Sequence, residues 1–294
     1  MNRRDFTATL AALPAMALTG GATAIDPIKR AGAPSMKLSL AAYSFRDALA
    51  GPKKSMTLDD FVDLASLYNL EAVEPTSYYF PEPATPQYCR SLRRHAFIQG
   101  LSISGTAVRN TFTHPPGPQL DKEIEHVKRW IDLAAELHAP TIRIFAGDLQ
   151  KGTREADARK WCVDAIHRAC EHAATRGIIL ALENHGGIVS TIDQMLSIVR
   201  EVKSEWFGVN LDSGNFQSAD PYADLARLAP YAVVAQVKVE VTTGKAKGPA
   251  DLARVIKILR DVNYRGYVVL EYEAAEDPRQ AVPRYLQQLR KLVA

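Results

Sequence analysis

Four apolar runs in this chain each carry an oxygen-bearing side chain at or near their C-terminal end, and they follow one another at regular intervals. IILALE stops at Glu183 and is followed by Asn184, His185 and two glycines; FGVNLD stops at Asp212; VVAQVKVE carries Gln236, Lys238 and Glu240; YVVLEYE carries Glu271 and Glu273. The groups Glu183, Asp212, Gln236 and Glu271 lie 29, 24 and 35 residues apart, each interval about one strand plus one helix. A carboxylate buried at the end of a core strand needs a partner. Parallel strands closed into a barrel bring all such ends to one rim, where barrels of this kind keep their chemistry.

The rest of the chain supports that closure. Apolar strand-like runs are expected at residues 37–45, 70–74, 101–106, 141–145, 178–183, 207–211, 233–237 and 267–271. Between them lie helical patterns, such as Ile124, Val127, Ile131 and Ala134 at helical spacing. Capping signals open several helices: Thr57 with Asp60, Thr191 with Gln194, Asp277 before Pro278, and Pro249 as a first-turn proline for the seventh. Gly177 stops the helix before the strand at 178–183. Eight strands alternating with eight helices read as a single-domain α/β fold, a (β/α)8 TIM barrel, with a doubly wound open sheet as the competing architecture. A chain of 294 residues, 47% of them hydrophobic, is long enough for one such domain.

Side-chain alternation places the four groups on one face. Glu183 shares parity with Ala181 and Ile179, Asp212 with Asn210 and Gly208, Gln236 with Val234, and Glu271 with Val269 and Tyr267. Leu182, Leu211, Val237 and Leu270, of opposite parity, should face the helices. Three converging carboxylates would repel one another without a cation, and an all-oxygen set suits Mn²⁺ or Mg²⁺, with Co²⁺ or Zn²⁺ as substitutes. The competing reading has each acid capping a helix or pairing with a base such as Arg143 or Lys238. The wider candidate set contains Arg143, which balances the carboxylates or serves the core, and Lys238, which meets developing negative charge or pairs with Glu240. His185 contacts substrate or holds a turn, and Glu74 ends the second strand. The cluster Tyr78, Tyr79 and Phe80 is either a packed loop or a sugar platform.

The segments LEN at 182–184, NLDSGN at 210–215, QVKVE at 236–240 and LEYE at 270–273, in this order, resemble the sugar phosphate isomerase/epimerase group of xylose isomerase-like barrels. The resemblance spans roughly residues 37–294. It implies that Glu183, Asp212, Gln236 and Glu271 hold a divalent metal and that Glu183 and Glu271 exchange the substrate proton. Gln236 departs from the pattern, since many members carry His there. Asn215 stands where several epimerases place a substrate-binding His. The implied reaction is proton transfer beside the carbonyl of a keto sugar, through a metal-stabilised enediolate, giving an isomerase or epimerase. A β-eliminating lyase or dehydratase acting on a keto sugar, an inosose or a 3-keto-glycoside shares that first step. A non-catalytic exported sugar-binding protein is the competing class, and a DNA-repair endonuclease barrel would need clustered metal-binding histidines and a basic face.

The N-terminus carries an address. Arg3, Arg4 and Phe6 precede an apolar alanine-rich run and the small residues Ala22, Thr23 and Ala24, which together resemble a twin-arginine export signal over residues 1–24. Residues 25–35 then form a linker and 36–294 the barrel, and the mature protein is expected in the periplasm. Removing residues 1–24 lowers the net charge from +3 to +2, because they hold Arg3, Arg4 and Asp5. So small a charge does not imply nucleic acid or an anionic membrane as a partner, and neither is expected; a small sugar or cyclitol is the expected one, with room left for a homo-oligomer. Cys89, Cys162 and Cys170 lack metal spacing and read as free buried thiols.

Overall fold

The computed structural model describes residues 25–294, so the expected export signal over residues 1–24 lies outside the described residues. Nine strands form one parallel sheet: β1 (Ser35–Ala41), β2 (Ala72–Glu74), β3 (Ser102–Ile103), β4 (Thr106–Ala107), β5 (Thr141–Ile144), β6 (Ile179–Glu183), β7 (Phe207–Asp212), β8 (Ala232–Val237) and β11 (Arg265–Leu270). Their order is β3-β2-β1-β11-β8-β7-β6-β5-β4. The two ends of this order, β3 and β4, are halves of the single stretch read as the third strand. β3 pairs with β2 and β4 with β5, so the sheet returns on itself.

Ser104 and Gly105 break that stretch. A Cβ at Gly105 would come within 2.6 Å of the Thr141 hydroxyl oxygen, so the chain passes β5 where only glycine fits. The (β/α)8 expectation holds in its topology, with one of the eight strand positions split.

The helices lie outside this ring. A single turn, α1 (Arg46–Leu49), precedes α2 (Leu58–Leu67), α3 (Pro86–Ile98), α4 (Pro118–Leu137), α5 (Glu155–Arg176), α6 (Ile192–Glu201), α7 (Pro221–Leu228), α8 (Leu252–Asp261) and α9 (Pro278–Val293). Thr57 with Asp60 and Thr191 with Gln194 form capping boxes, and Gly177 ends α5 in a left-handed conformation at φ 68°. Each helix buries one apolar stripe against the sheet; α4 contributes Leu120, Ile124, Val127 and Ile131. Full burial of each such side chain is worth about 1.5–3 kcal/mol, and this outer layer supplies most of the core. The barrel interior is smaller: Ala41, Ala181, Val234 and Val269 cluster there, the inward parity expected from the sequence.

Three local readings change. Residues 42–45 form a 3₁₀ turn rather than the end of β1. Pro249 ends a hairpin, β9 (Glu240–Thr243) with β10 (Ala246–Pro249), instead of opening a helix; the N-cap of α8 is Asp251, which accepts from the Arg254 amide at 2.9 Å. Residues 25–34 have no regular element, yet the Ile28 amide donates to the Pro230 carbonyl at 2.9 Å, so this linker lies against the barrel. Cys89, Cys162 and Cys170 are free and buried, as expected. Among the described residues no helix is long and apolar enough to cross a membrane.

Candidate active site

Glu183 is the last residue of β6, and its carboxylate is almost fully buried. Nε of Arg143, from β5, lies 2.9 Å from Oε2 of Glu183, and the Asn215 amide donates to Oε1 at 2.9 Å. Arg143 is itself fixed. Its guanidinium donates to the Val108 carbonyl at 2.9 Å and to the Tyr78 hydroxyl at 3.2 Å, and it stacks 3.9 Å from the Phe145 ring centroid. Arg143 and Asn215 thus both contact the Glu183 carboxylate, one on each oxygen.

Across the rim a second cation gathers the other acids. Nζ of Lys238, one residue beyond β8, lies 2.8 Å from Oε2 of Glu271 and 3.4 Å from Oδ2 of Asp212, and it also pairs with Glu273. Lys238 therefore turns away from Glu240, the partner considered from sequence. Two local features hold it. Its amide donates to the Ser213 hydroxyl at 2.8 Å, and Gly214 lets its stem pass, since a Cβ there would sit 2.9 Å from the Lys238 Cβ and Cδ. Asn184 clamps the neighbouring strand: its amide donates to the Asp212 carbonyl at 3.0 Å and accepts from the Asp212 amide at 2.9 Å.

Gln236 and Glu74 require correction. The β8–β11 register pairs Gln236 with Val269, so Lys238, two residues on, is the residue level with Glu271. Gln236 sits one layer lower. Its Nε2 donates to Glu74 at 2.6 Å and its Oε1 accepts from Asn210 at 2.6 Å. Both amide atoms are thus engaged, and neither Gln236 nor Glu74 lines the cavity above. Glu74 supports the floor of the site instead of meeting substrate.

The metal implied by the resemblance can be tested against this arrangement. Oδ2 of Asp212 is buried without a hydrogen-bond partner, which by itself calls for a cation. The nearest one is the Lys238 ammonium. A divalent ion held by Asp212 and Glu271 at about 2.0–2.2 Å would need the space that Nζ occupies. About 3 Å from an ammonium it would meet a repulsion of roughly 10 kcal/mol even at an effective dielectric near 20. Glu183 is paired with Arg143, both amide atoms of Gln236 are engaged below, and among the described residues no group of three or more His, Cys, Asp or Glu side chains is arranged to hold a metal. The expected set Glu183, Asp212, Gln236 and Glu271 does not fit Mn²⁺ or Mg²⁺ as it stands.

A cavity of about 360 Å³ opens above these groups, with Glu183, Glu271, Lys238, Arg143 and His185 on its walls. His185 rests against the Phe145 ring, centroids 4.4 Å apart, and keeps an exposed edge. Glu273, Arg109 and Tyr43 also face this space and were absent from the sequence-based set, and Tyr78 faces it too. Glu273 was accessible to sequence reasoning, having the parity of Glu271. Of the aromatic cluster, Tyr78 lines the cavity while Phe80 packs against Trp130 at 5.3 Å, so the loop divides between the two roles considered for it.

Burial and charge push the two glutamates apart. Burial raises the Glu183 carboxyl above its ordinary range, with Arg143 opposing the rise. Burial also acts on Glu271, but the charge and hydrogen bond of Lys238 outweigh it and hold the group below its ordinary range. Asp212 is raised by burial against the pull of Lys238, and Lys238 is held charged by its acids despite its burial. Glu271 is thus driven toward its ionised form and Glu183 toward its protonated form, the protonation pattern that acid/base chemistry requires.

Glu74 gives a separable pH effect. Burial, reinforced by the Glu271 charge, raises its pKa to about 8 from 4.5. The folded state therefore holds this proton more tightly than the unfolded chain. Stability from this group falls as pH rises from about 4.5 and the loss is complete above about 8, to at most about 5 kcal/mol. Glu74→Gln removes the ionisation and can still accept from Gln236. Urea titrations should show wild type and variant alike near pH 4.5 and the variant more stable by a few kcal/mol at pH 8.5; equal stability at both would refute the assignment.

The sequence pattern of the xylose isomerase-like TIM barrel family matches residues 62–292, well over half of the chain. The chain belongs to that family. Among curated proteins no match is found. Solved structures with the same fold include D-psicose 3-epimerase from Clostridium cellulolyticum H10 (TM-score 0.70, 13% identity, 88% of this chain and 98% of that one). A 3-keto-D-glucoside 4-epimerase from E. coli gives TM-score 0.67 at 15% identity, over 88% and 99% of the two chains. The probable 3-DHS dehydratase from Bacillus anthracis gives 0.65 at 18%, over 87% and 99%. Identities this low establish the shared barrel alone.

Proposed function

We propose that this family member is a sugar isomerase or epimerase that moves a proton on the carbon beside a keto-sugar carbonyl, with Glu271 and Glu183 as the acid/base pair. One observation carries the reading: two buried carboxylates face one sugar-sized cavity, each beside its own cation, with protonation tendencies driven in opposite directions. Glu271 takes the proton, the C–H electron pair forms a carbon–carbon double bond, and the carbonyl π pair moves onto oxygen. Glu183 returns a proton to the same carbon from the other side as the oxygen's electron pair re-forms the carbonyl; for isomerisation it protonates the former carbonyl carbon instead, the proton of the first carbon's hydroxyl passes to the enolate oxygen, and that hydroxyl's electron pair forms the new carbonyl. Solvent reaching the cavity resets the pair. Arg143 holds Glu183 in place, and His185 and Tyr78 stand where they can meet sugar hydroxyls.

Binding alone does not require two acids poised in this way, which weighs against a non-catalytic sugar binder. The substrate is a free keto sugar, a cyclitol ketone or an oxidised glycoside, consistent with export by the signal over residues 1–24 to the periplasm, where sugar phosphates are scarce. Proton NMR of a panel of these compounds tests the proposal. A new epimer or isomer supports it; loss of a β-substituent would reassign the enzyme as a lyase; binding of a panel member with no conversion would reassign it as a binder.

A further inference from the structure

We infer that Lys238 is the resident cation of this site, standing where the resemblance places a divalent metal, and that its ammonium takes up the negative charge formed on the substrate's carbonyl oxygen. The inference rests on the proposed proton-transfer reaction for its catalytic half and on geometry alone for its cation half.

The geometry is that of a cation centre. Three carboxylates from three positions, Asp212 at the end of β7 and Glu271 and Glu273 beyond β11, converge on one nitrogen. Convergence of this kind is what the four strand ends suggested from sequence; the occupant at its centre is a side chain of the protein. The surroundings are shaped for that side chain. Gly214 leaves room for its aliphatic stem, and Ser213 binds its backbone amide. Asn184 holds the Asp212 backbone by two hydrogen bonds. Of the inward amides, Gln236 is tied below, its Nε2 donating to Glu74 and its Oε1 accepting from Asn210.

The same nitrogen reaches the reacting space. Lys238 lines the cavity together with Glu183 and Glu271 and stands 2.8 Å from the proposed base. Glu273 is the most exposed of its three partners, at 33%, whereas the Asp212 side chain is wholly buried. A substrate oxygen entering from the cavity therefore displaces Glu273 first and accepts the hydrogen bond that Glu273 releases. The ammonium then lies beside both the carbon that loses its proton and the oxygen that gains charge, where a fixed donor is most effective.

The test separates the cation assignment from the reaction. Chelator-stripped mature protein is titrated with Mn²⁺, and free Mn²⁺ is followed by electron paramagnetic resonance. The expected result is no uptake by wild type up to about 1 mM and about one Mn²⁺ per chain taken up by Lys238→His, in which the cation is replaced by a ligand beside Asp212 and Glu271. Deuterium exchange into the active sugar should continue unchanged in EDTA and fall at least a hundredfold in Lys238→Met. Stoichiometric uptake of Mn²⁺ by wild type at micromolar concentration overturns the inference whatever the sugar results, and needs no variant to fold. Loss of exchange in EDTA overturns it as well. If no sugar exchanges while wild type still refuses Mn²⁺, the proton-transfer reading fails and the resident-cation assignment stands.

Discussion

Glu271→Gln should reduce sugar interconversion by about a thousandfold while leaving substrate affinity within about tenfold. General-base catalysis contributes roughly 10²–10⁴ in rate, and the amide is close to isosteric with the carboxylate but cannot accept the proton. The charge and hydrogen bond of Lys238 favour the ionised form of Glu271, the form the proposed base needs. The variant loses one of three acids around Lys238 and retains Asp212 and Glu273, which should keep the lysine in place. Product formation by NMR and sugar binding by calorimetry read the two quantities separately. A parallel fall in binding and rate would make Glu271 a structural partner of Lys238 and remove it as the base.

The largest expected effect on stability lies on the opposite wall. Arg143→Met leaves Glu183 buried with no cation, and removing one member of a buried ion pair typically costs about 3–5 kcal/mol. The guanidinium also binds the Val108 carbonyl and the Tyr78 hydroxyl, so the loop after β4 and the aromatic wall should loosen together. A second change, Glu183→Gln, removes the stranded charge. Urea unfolding should therefore find the double variant more stable than Arg143→Met alone, by about 1–3 kcal/mol. If the double variant is no better, the pair is not the source of the loss.

Much of this site was legible because a strand has a fixed side-chain period. Once strands end at Glu183, Asp212 and Glu271, parity sends these side chains to the barrel interior, and the structure places them there. Parity does not give register. Gln236 and Lys238 share a face, and only the pairing of Gln236 with Val269 decides that Lys238 is level with Glu271 while Gln236 drops to the floor with Glu74. The split of β3 from β4 was equally hidden, since it arises from the close passage of Gly105 by Thr141, residues far apart in sequence. The β9–β10 hairpin escaped because Lys245, Lys247 and Pro249 read locally as a polar loop leading into a helix. Arg143, by contrast, was recognisable as a basic group on a core strand, and its choice of Glu183 over the other acids follows from β5 and β6 being neighbours.

The most direct test of the central claim is solvent deuterium incorporation, measured in D₂O with EDTA present. Mature protein and its Glu271→Gln variant are each incubated with free keto sugars, inositol ketones and 3-keto-glycosides. The account predicts label at a carbon beside the carbonyl of at least one compound with wild type, and its loss in the variant. Binding of a compound without any labelling, or labelling that survives Glu271→Gln unchanged, would contradict it.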